Sequence, residues 1–154
     1  MGPFDMLAIS GSALSAERQR SEIIATNMAN AETTHTDKGG PFKRKEVVFS
    51  STSNSSFHLA LASTDALANA SAHAGRTAGT VRISRVVEDE APPVMRYDPS
   101  HPDADKDGFV AYPAINPVQE MVDLMGSTRA YQLNASAVSA AKQMIQQSID
   151  ILKS

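Results

Sequence analysis

The stretch that most constrains this chain is its last quarter, NPVQEMVDLMGSTRAYQLNASAVSAAKQMIQQSIDILKS, from Asn116 to Ser154. Asn116 is a good helix N-cap, Pro117 suits the first helical position, and Gln119 stands where a capping box places a Glu or Gln. From there, alternating steps of four and three reach Met121, Leu124, Thr128, Tyr131, Ala135, Val138, Lys142, Ile145, Ile149 and Leu152. Eight of these ten are apolar, which is the spacing of a coiled-coil seam. Glu120 and Asp123 in the first turns and Lys153 in the last suit the helix dipole. With no proline to interrupt it, and at ~1.5 Å per residue, the predicted helix is on the order of 55 Å long. Such a helix, with one apolar seam, is not stable alone and needs a partner helix.

A second helical candidate spans about Pro3 to Ala31. Its three-and-four spacing runs through Phe4, Leu7, Gly11, Leu14, Arg18, Ser21, Ala25 and Met28, with Ile23 and Ile24 broadening the stripe. Gly11 permits close helix approach at ~1 kcal/mol in propensity. The run Thr33-Thr34-His35-Thr36 weakens the helix and Gly39-Gly40-Pro41 ends it, so the N-terminal segment is bounded near residue 34. Two helical ends around a non-helical middle describe termini that pair with each other in a hairpin or with neighbouring copies. Spacing leaves both open.

Composition favours thin helix–helix packing over a thick core: 42% of residues are hydrophobic, but only 5% are aromatic and none is tryptophan. A net charge of -3 argues against nucleic-acid binding, which calls for a basic surplus. With no cysteine there are no disulfides or thiolate metal sites. The opening MGPFDMLAIS has neither a basic n-region nor a long apolar h-region, so cleavage-type secretion is not encoded. Met6 occupies the position where a myristoylation signal wants Ser or Thr.

The middle, residues 35–115, reads as β-rich. In PFKRKEVVF, the triplet Lys43, Arg44 and Lys45 precedes a short strand, Val47 to Phe49. The triplet reads as a solvated turn, with pairing to an acidic neighbour as the alternative. From Ser50 to about Thr80 a Ser-, Thr-, Ala- and Asn-rich stretch reads as a mobile loop. Within it Phe57, Leu59 and Leu61 alternate as a strand would, and Ala66 to Ala72 suits a helical turn. Val81 to Val87, Val94 to Tyr97 and Phe109 to Tyr112 are further strands. The expected class is α+β: long N- and C-terminal helices packed as a coiled-coil-like pair, with a small antiparallel sheet between them in sequence.

The most suggestive chemical motif is Asp103-Ala104-Asp105-Lys106-Asp107-Gly108, which starts like an EF-hand calcium loop. Its twelfth position is Ala114 where a bidentate Glu belongs, Lys106 adds a positive charge, and strands flank it in place of helices. An Asp-rich turn leading into Phe109 is the expectation. The histidines His35, His58, His73 and His101 lack metal-type spacing, and no nucleophile elbow, P-loop or dinucleotide fingerprint is present. No enzyme, cofactor or metal is expected.

ATNMANAETT (Ala25 to Thr34), carrying Asn27, Ala29, Asn30, Thr33 and Thr34, resembles the N-terminal signature of bacterial flagellar rod and hook axial proteins. GGPFKRKEVVF (Gly39 to Phe49), YDPSHPDADKDGFVAYP (Tyr97 to Pro113) and NPVQEMVDLMGSTRAYQLNASAVSAAKQMI (Asn116 to Ile145) are similar to the versions in that family's proximal-rod members. The resemblance implies a structural subunit whose terminal helices, residues 1–34 and 116–154, form the inner wall of a helical tube with the β-rich part outside. It implies torque transmission across the periplasm and export through the flagellar type III apparatus without a cleaved signal. Partners would be other copies and neighbouring rod and basal-body proteins, with no nucleic acid and no small-molecule substrate. Interface or seam positions would be Phe4, Leu7, Leu14, Ile24 and Met28 on one helix. On the other they would be Met121, Leu124, Tyr131, Ala135, Val138, Ile145, Ile149 and Leu152, with ordinary core the competing role for Tyr131. Asn27, Asn30 and Thr33, spaced by three, share one helical face. They either bond a neighbouring subunit or the strand after Gly40, or merely terminate the helix. Another axial subunit would share the termini without the PDADKDG segment, and a calcium-dependent binding module would gain stability from metal.

Overall fold

A computed structural model describes residues 2–52 and 79–153. The expected strand at Phe57 to Leu61, the turn at Ala66 to Ala72, the loop that contains them, His58 and His73 lie outside the described residues. The elements in order are α1 (Pro3–Ala29), β1 (Lys45–Thr52), β2 (Thr80–Glu88), β3 (Val94–Tyr97), β4 (Phe109–Tyr112) and α2 (Pro117–Lys153). The fold is α+β.

The helices have 27 and 37 residues and pack antiparallel, with Asn27 of α1 beside Glu120 of α2 and Ser21 beside Ser127. At ~1.5 Å per residue, α2 is about 15 Å longer than α1. α2 starts as its sequence dictates: the Asn116 Oδ1 accepts the Val118 N–H at 3.0 Å, so the side chain caps the first turn. α1 opens with the Asp5 carboxylate accepting the Gly2 N–H at 2.9 Å. α1 ends at Ala29 with Asn30 as its cap, earlier than the segment boundary near residue 34. Thr33 and Thr34 therefore lie beyond the helix, where the Thr33 carbonyl accepts the Phe42 N–H at 3.0 Å. The β-branched run disfavours any further helix, and Gly39 and Gly40, at φ 83° and 72°, turn the chain back toward β1.

β1 and β2 form one antiparallel pair, Lys45 opposite Glu88 through Thr52 opposite Thr80, with a bulge between Val48 and Phe49. This hairpin lies along α1. At its far end the Ser12 hydroxyl of α1 accepts the Val81 N–H at 3.1 Å and donates to the Ile9 carbonyl at 2.7 Å. β3 and β4 form a second antiparallel pair, Val94 opposite Tyr112 through Tyr97 opposite Phe109, and touch neither helix. Among the described residues the middle is thus two separate two-stranded sheets and not the one sheet expected: β3 and β4 pair only with each other, across the Asp-rich turn that joins them.

The packed seam differs in phase from the apolar spacing. On α1 the inward positions are Leu7, Ser10, Leu14, Glu17, Ser21, Ile24 and Met28, while Phe4, Gly11, Arg18 and Ala25 face solvent. On α2 they are Glu120, Leu124, Ser127, Asn134, Val138, Ala141 and Ile145, while Met121, Thr128 and Lys142 are exposed. Every second position is displaced by one residue. Most of those sites hold small or polar side chains, Ser10, Glu17, Glu120, Ser127, Asn134 and Ala141, with Ile24 the exception, and an apolar count passes over them. Among the described residues the buried apolar side chains are Ala16, Ile24, Val110, Pro113 and Ala141, so the core is thin.

Candidate functional site

Two surfaces of this molecule have functional content: a polar joint inside the helix pair and an apolar face outside it. The joint forms where the end of α1, the start of β1 and the start of α2 meet. Asn27 and Glu120 are each 1% exposed. The Asn27 amide spans β1, its Oδ1 accepting the Lys45 N–H and its Nδ2 donating to the Lys45 carbonyl, both at 2.9 Å. The same Nδ2 donates to Glu120 Oε2 at 3.1 Å, and Arg44 Nε donates to Glu120 Oε1 at 2.6 Å. Arg44 also bonds Glu46 through Nη1 and stands 3.6 Å from Asp123 through Nη2. Burial works against the guanidinium's charge, but the bonds to and charges of Glu120 and Glu46 outweigh it and raise its pKa. The cation is therefore permanent, and Glu120 has a partner on each oxygen.

One heptad along, the Ser127 hydroxyl, fully buried, donates to Glu17 Oε2 at 2.8 Å and lies 2.9 Å from the Ser21 hydroxyl. Among the described residues no buried side-chain nitrogen or oxygen lacks a partner. This joint was only partly legible beforehand. Asn27 stands in the motif, Glu120 reads only as a dipole-complementing residue of a first turn, and for the Lys43–Lys45 triplet the alternative reading, pairing to an acidic neighbour, is the one Arg44 follows. The signal available was the acidic residue itself, on a face where the next turn carries Leu124 and Ser127.

The signature residues separate. Asn27 bonds the strand after Gly40. Asn30 Nδ2 donates to the Thr26 carbonyl at 2.9 Å and its Oδ1 accepts the Thr33 hydroxyl at 3.2 Å, which are helix-terminating contacts. The Thr34 hydroxyl donates to Asp103 Oδ2 at 2.7 Å, tying the end of α1 to the β3–β4 connection. Ala29 is exposed on the last turn.

In that connection the Asp105 Oδ1 accepts the N–H groups of Asp107 and Phe109 at 2.9 and 2.8 Å, and Gly108 sits at φ 81°. The aspartates build a turn, and among the described residues no three His, Asp or Glu side chains stand together as metal ligands. Asp98, at the start of the turn, is held below the usual carboxylate range by the Ser100 hydroxyl and N–H, with the charge of His101 adding to them.

The second surface is apolar. Of the interface candidates, Leu7, Leu14, Ile24, Met28, Leu124, Ala135, Val138 and Ile145 are buried or half-buried within this chain. Phe4, Met121, Tyr131, Ile149 and Leu152 are exposed, Leu152 by 86%. Spacing alone did not single out Val118, Val122, Met125 and Leu133, exposed by 62% or more. At ~100° per residue these four fall on the side of α2 opposite its seam with α1. Among the described residues no helix is long and apolar enough to cross a membrane.

Comparison with known proteins gives consistent matches at both ends of the chain. Residues 7–34 match a family model described as "Flagella basal body rod protein", and residues 106–151 match one described as "Flagellar basal body rod FlgEFG protein C-terminal". A protein of Borreliella burgdorferi described as flagellar basal-body rod protein FlgC is 34% identical over 157 residues, 99% of each chain. One of the same description from Bacillus subtilis is 34% identical, over 99% of this chain and 100% of its own. A third, from Salmonella typhimurium, is 32% identical over 145 residues, 94% of each.

Proposed function

The chain belongs to the family of flagellar basal-body rod proteins FlgC, and on that premise, as a structural subunit of the rod, we propose that it polymerises through its two long helices into the wall of a helical tube. The observation that carries this reading is the apolar face of α2 that α1 does not cover. Val118, Val122, Met125 and Leu133 form an exposed stripe interrupted by Arg129, and Met121, Tyr131, Ile149 and Leu152 extend the exposed apolar surface around and along the helix. A helix apolar on two faces is buried on both in its working state. Other copies of this chain and neighbouring rod subunits supply the second cover. Contacts that join different faces of successive subunits generate an open helical assembly, which suits a shaft that spans the periplasm and carries torque.

In this reading the β-rich region faces outward, the chain performs no catalysis and needs no cofactor, and it reaches its place through the flagellar type III apparatus without a cleaved signal. The three-part division into N-terminal helix, β-rich middle and C-terminal helix becomes a division into axial core and outer surface. The test is co-fractionation. An epitope-tagged chain should remain with detergent-washed basal bodies after hooks and filaments are stripped, and immunodetection should find it in the rod. A soluble cytoplasmic chain in motile cells would reject the assignment.

A further inference from the structure

The seam between α1 and α2 has little shape of its own. Its fully buried contacts include Ser10 on α1 and Ser127 and Ala141 on α2, side chains of nearly equal size, with Ile24 the exception. The larger seam side chains, Leu7, Leu14, Met28, Leu124, Val138 and Ile145, are only half-buried, so displacing one helix along the other by a turn, ~5.4 Å, exchanges one partly covered aliphatic contact for another. Apolar burial therefore discriminates weakly between alignments. Buried polar groups discriminate strongly, because a donor or acceptor carried away from its partner finds no water to replace it.

We propose that the Asn27–Arg44–Glu120 joint is a register lock: it selects one alignment of α2 on α1 and fixes the start of β1 to that alignment. Asn27 holds both backbone groups of Lys45 and one oxygen of Glu120, so α1 cannot move along α2 without losing the strand or the carboxylate. Arg44 holds the other oxygen from the β1 side. A one-turn slip in one direction carries the Glu120 carboxylate from Asn27 to Ile23 and Ile24, whose side chains have no donor to offer. Single polar residues set alignment in coiled coils by the same means. The proposal concerns the folded subunit and does not depend on the tube.

The chain contains no cysteine, so disulfides between introduced cysteines read the alignment directly. Ser21→Cys with Ser127→Cys reports the observed register, in which the two hydroxyls are 2.9 Å apart. Ser21→Cys with Leu124→Cys or with Ala130→Cys reports a slip of about one turn either way. The shared Ser21→Cys background also removes the Ser21–Ser127 contact. In the full-length chain under mild oxidation, the observed pair should close at least about tenfold faster than either slipped pair, a ratio within reach of one buried unpaired group. Replacing the joint by apolar groups of similar bulk, Asn27→Leu with Arg44→Met and Glu120→Leu, should keep the helical circular dichroism and reduce that ratio to within about twofold. Glu120→Gln, which keeps shape but not the ion pair, should lower the ratio several-fold at unchanged helicity. A ratio unchanged in Glu120→Gln overturns the lock. So does loss of helicity in the triple variant, since the joint would then be holding the fold and not choosing its register.

Discussion

At the scale of single residues, the joint makes unequal demands on side chains that look alike in sequence. Asn27 is buried and serves two elements, whereas Asn30 is half-buried and serves its own helix end. Asn27→Ala should destabilise the chain by about 2 kcal/mol, since it strips partners from Lys45 and Glu120, and Asn30→Ala by less than about 1 kcal/mol. Urea unfolding of the two variants checks the difference. Glu120→Ala leaves the Arg44 guanidinium beside an emptied site and should be worse, about 3 kcal/mol, the lower end for a broken buried pair because Arg44 remains a quarter exposed. Asp98 gives a pH signature. Its folded pKa lies below its unfolded value, so its contribution to stability is present above the ordinary Asp range and is lost as pH falls through the depressed folded value. In an NMR titration, Ser100→Ala should move the Asp98 midpoint upward. No movement would dissociate the shift from that hydroxyl.

At the scale of elements, the β3–β4 unit shows how local chemistry substitutes for a core. Two strands alone are marginal in water. Here the turn is closed by Asp105, the aromatic edge of Tyr97 meets Phe109 with centroids 5.3 Å apart, and Arg96 lies 4.4 Å over the Tyr112 ring. Gly108 sits where these meet, and a Cβ there would fall 2.9 Å from Tyr97 Cε2 and 3.2 Å from Pro99 Cβ. Gly108→Ala combines that clash with a left-handed backbone, and a loss of about 1–3 kcal/mol is expected, visible as earlier melting of the Phe109 to Tyr112 amides. The helix pair should respond little, because β3 and β4 touch neither helix.

At the scale of the whole molecule, the chain is built with more apolar surface than it can cover. Val122 and Met125 face away from α1, so Val122→Asp with Met125→Asp should leave the unfolding midpoint of the isolated subunit within about 0.5 kcal/mol of the parent. The same variant should fail to enter basal bodies and abolish swimming. Normal assembly would mean this face looks into open space. The last eight residues of α2, Gln146 to Lys153, are exposed throughout, and their amides should exchange with solvent far faster than those around Glu120 until the subunit is assembled.

What the sequence determined by itself was the list of elements and the lineage. The caps, periodicities and turn residues that place α1, β2, β3, β4 and α2 act within a few residues along the chain, and so can be read from it. The family's motifs are equally local. What only the tertiary structure decided was which side of each helix turns inward and what sits there. Met121 and Tyr131 look like seam residues by size, yet the packed seam takes Glu120 and Ser127. The reason is physical: Glu120 is buried only because Arg44 and Asn27, 76 and 93 residues away, arrive to bond it, and no local pattern carries that information. A helix in water would hide its methionines. A helix that has both a partner and a neighbour leaves them outside.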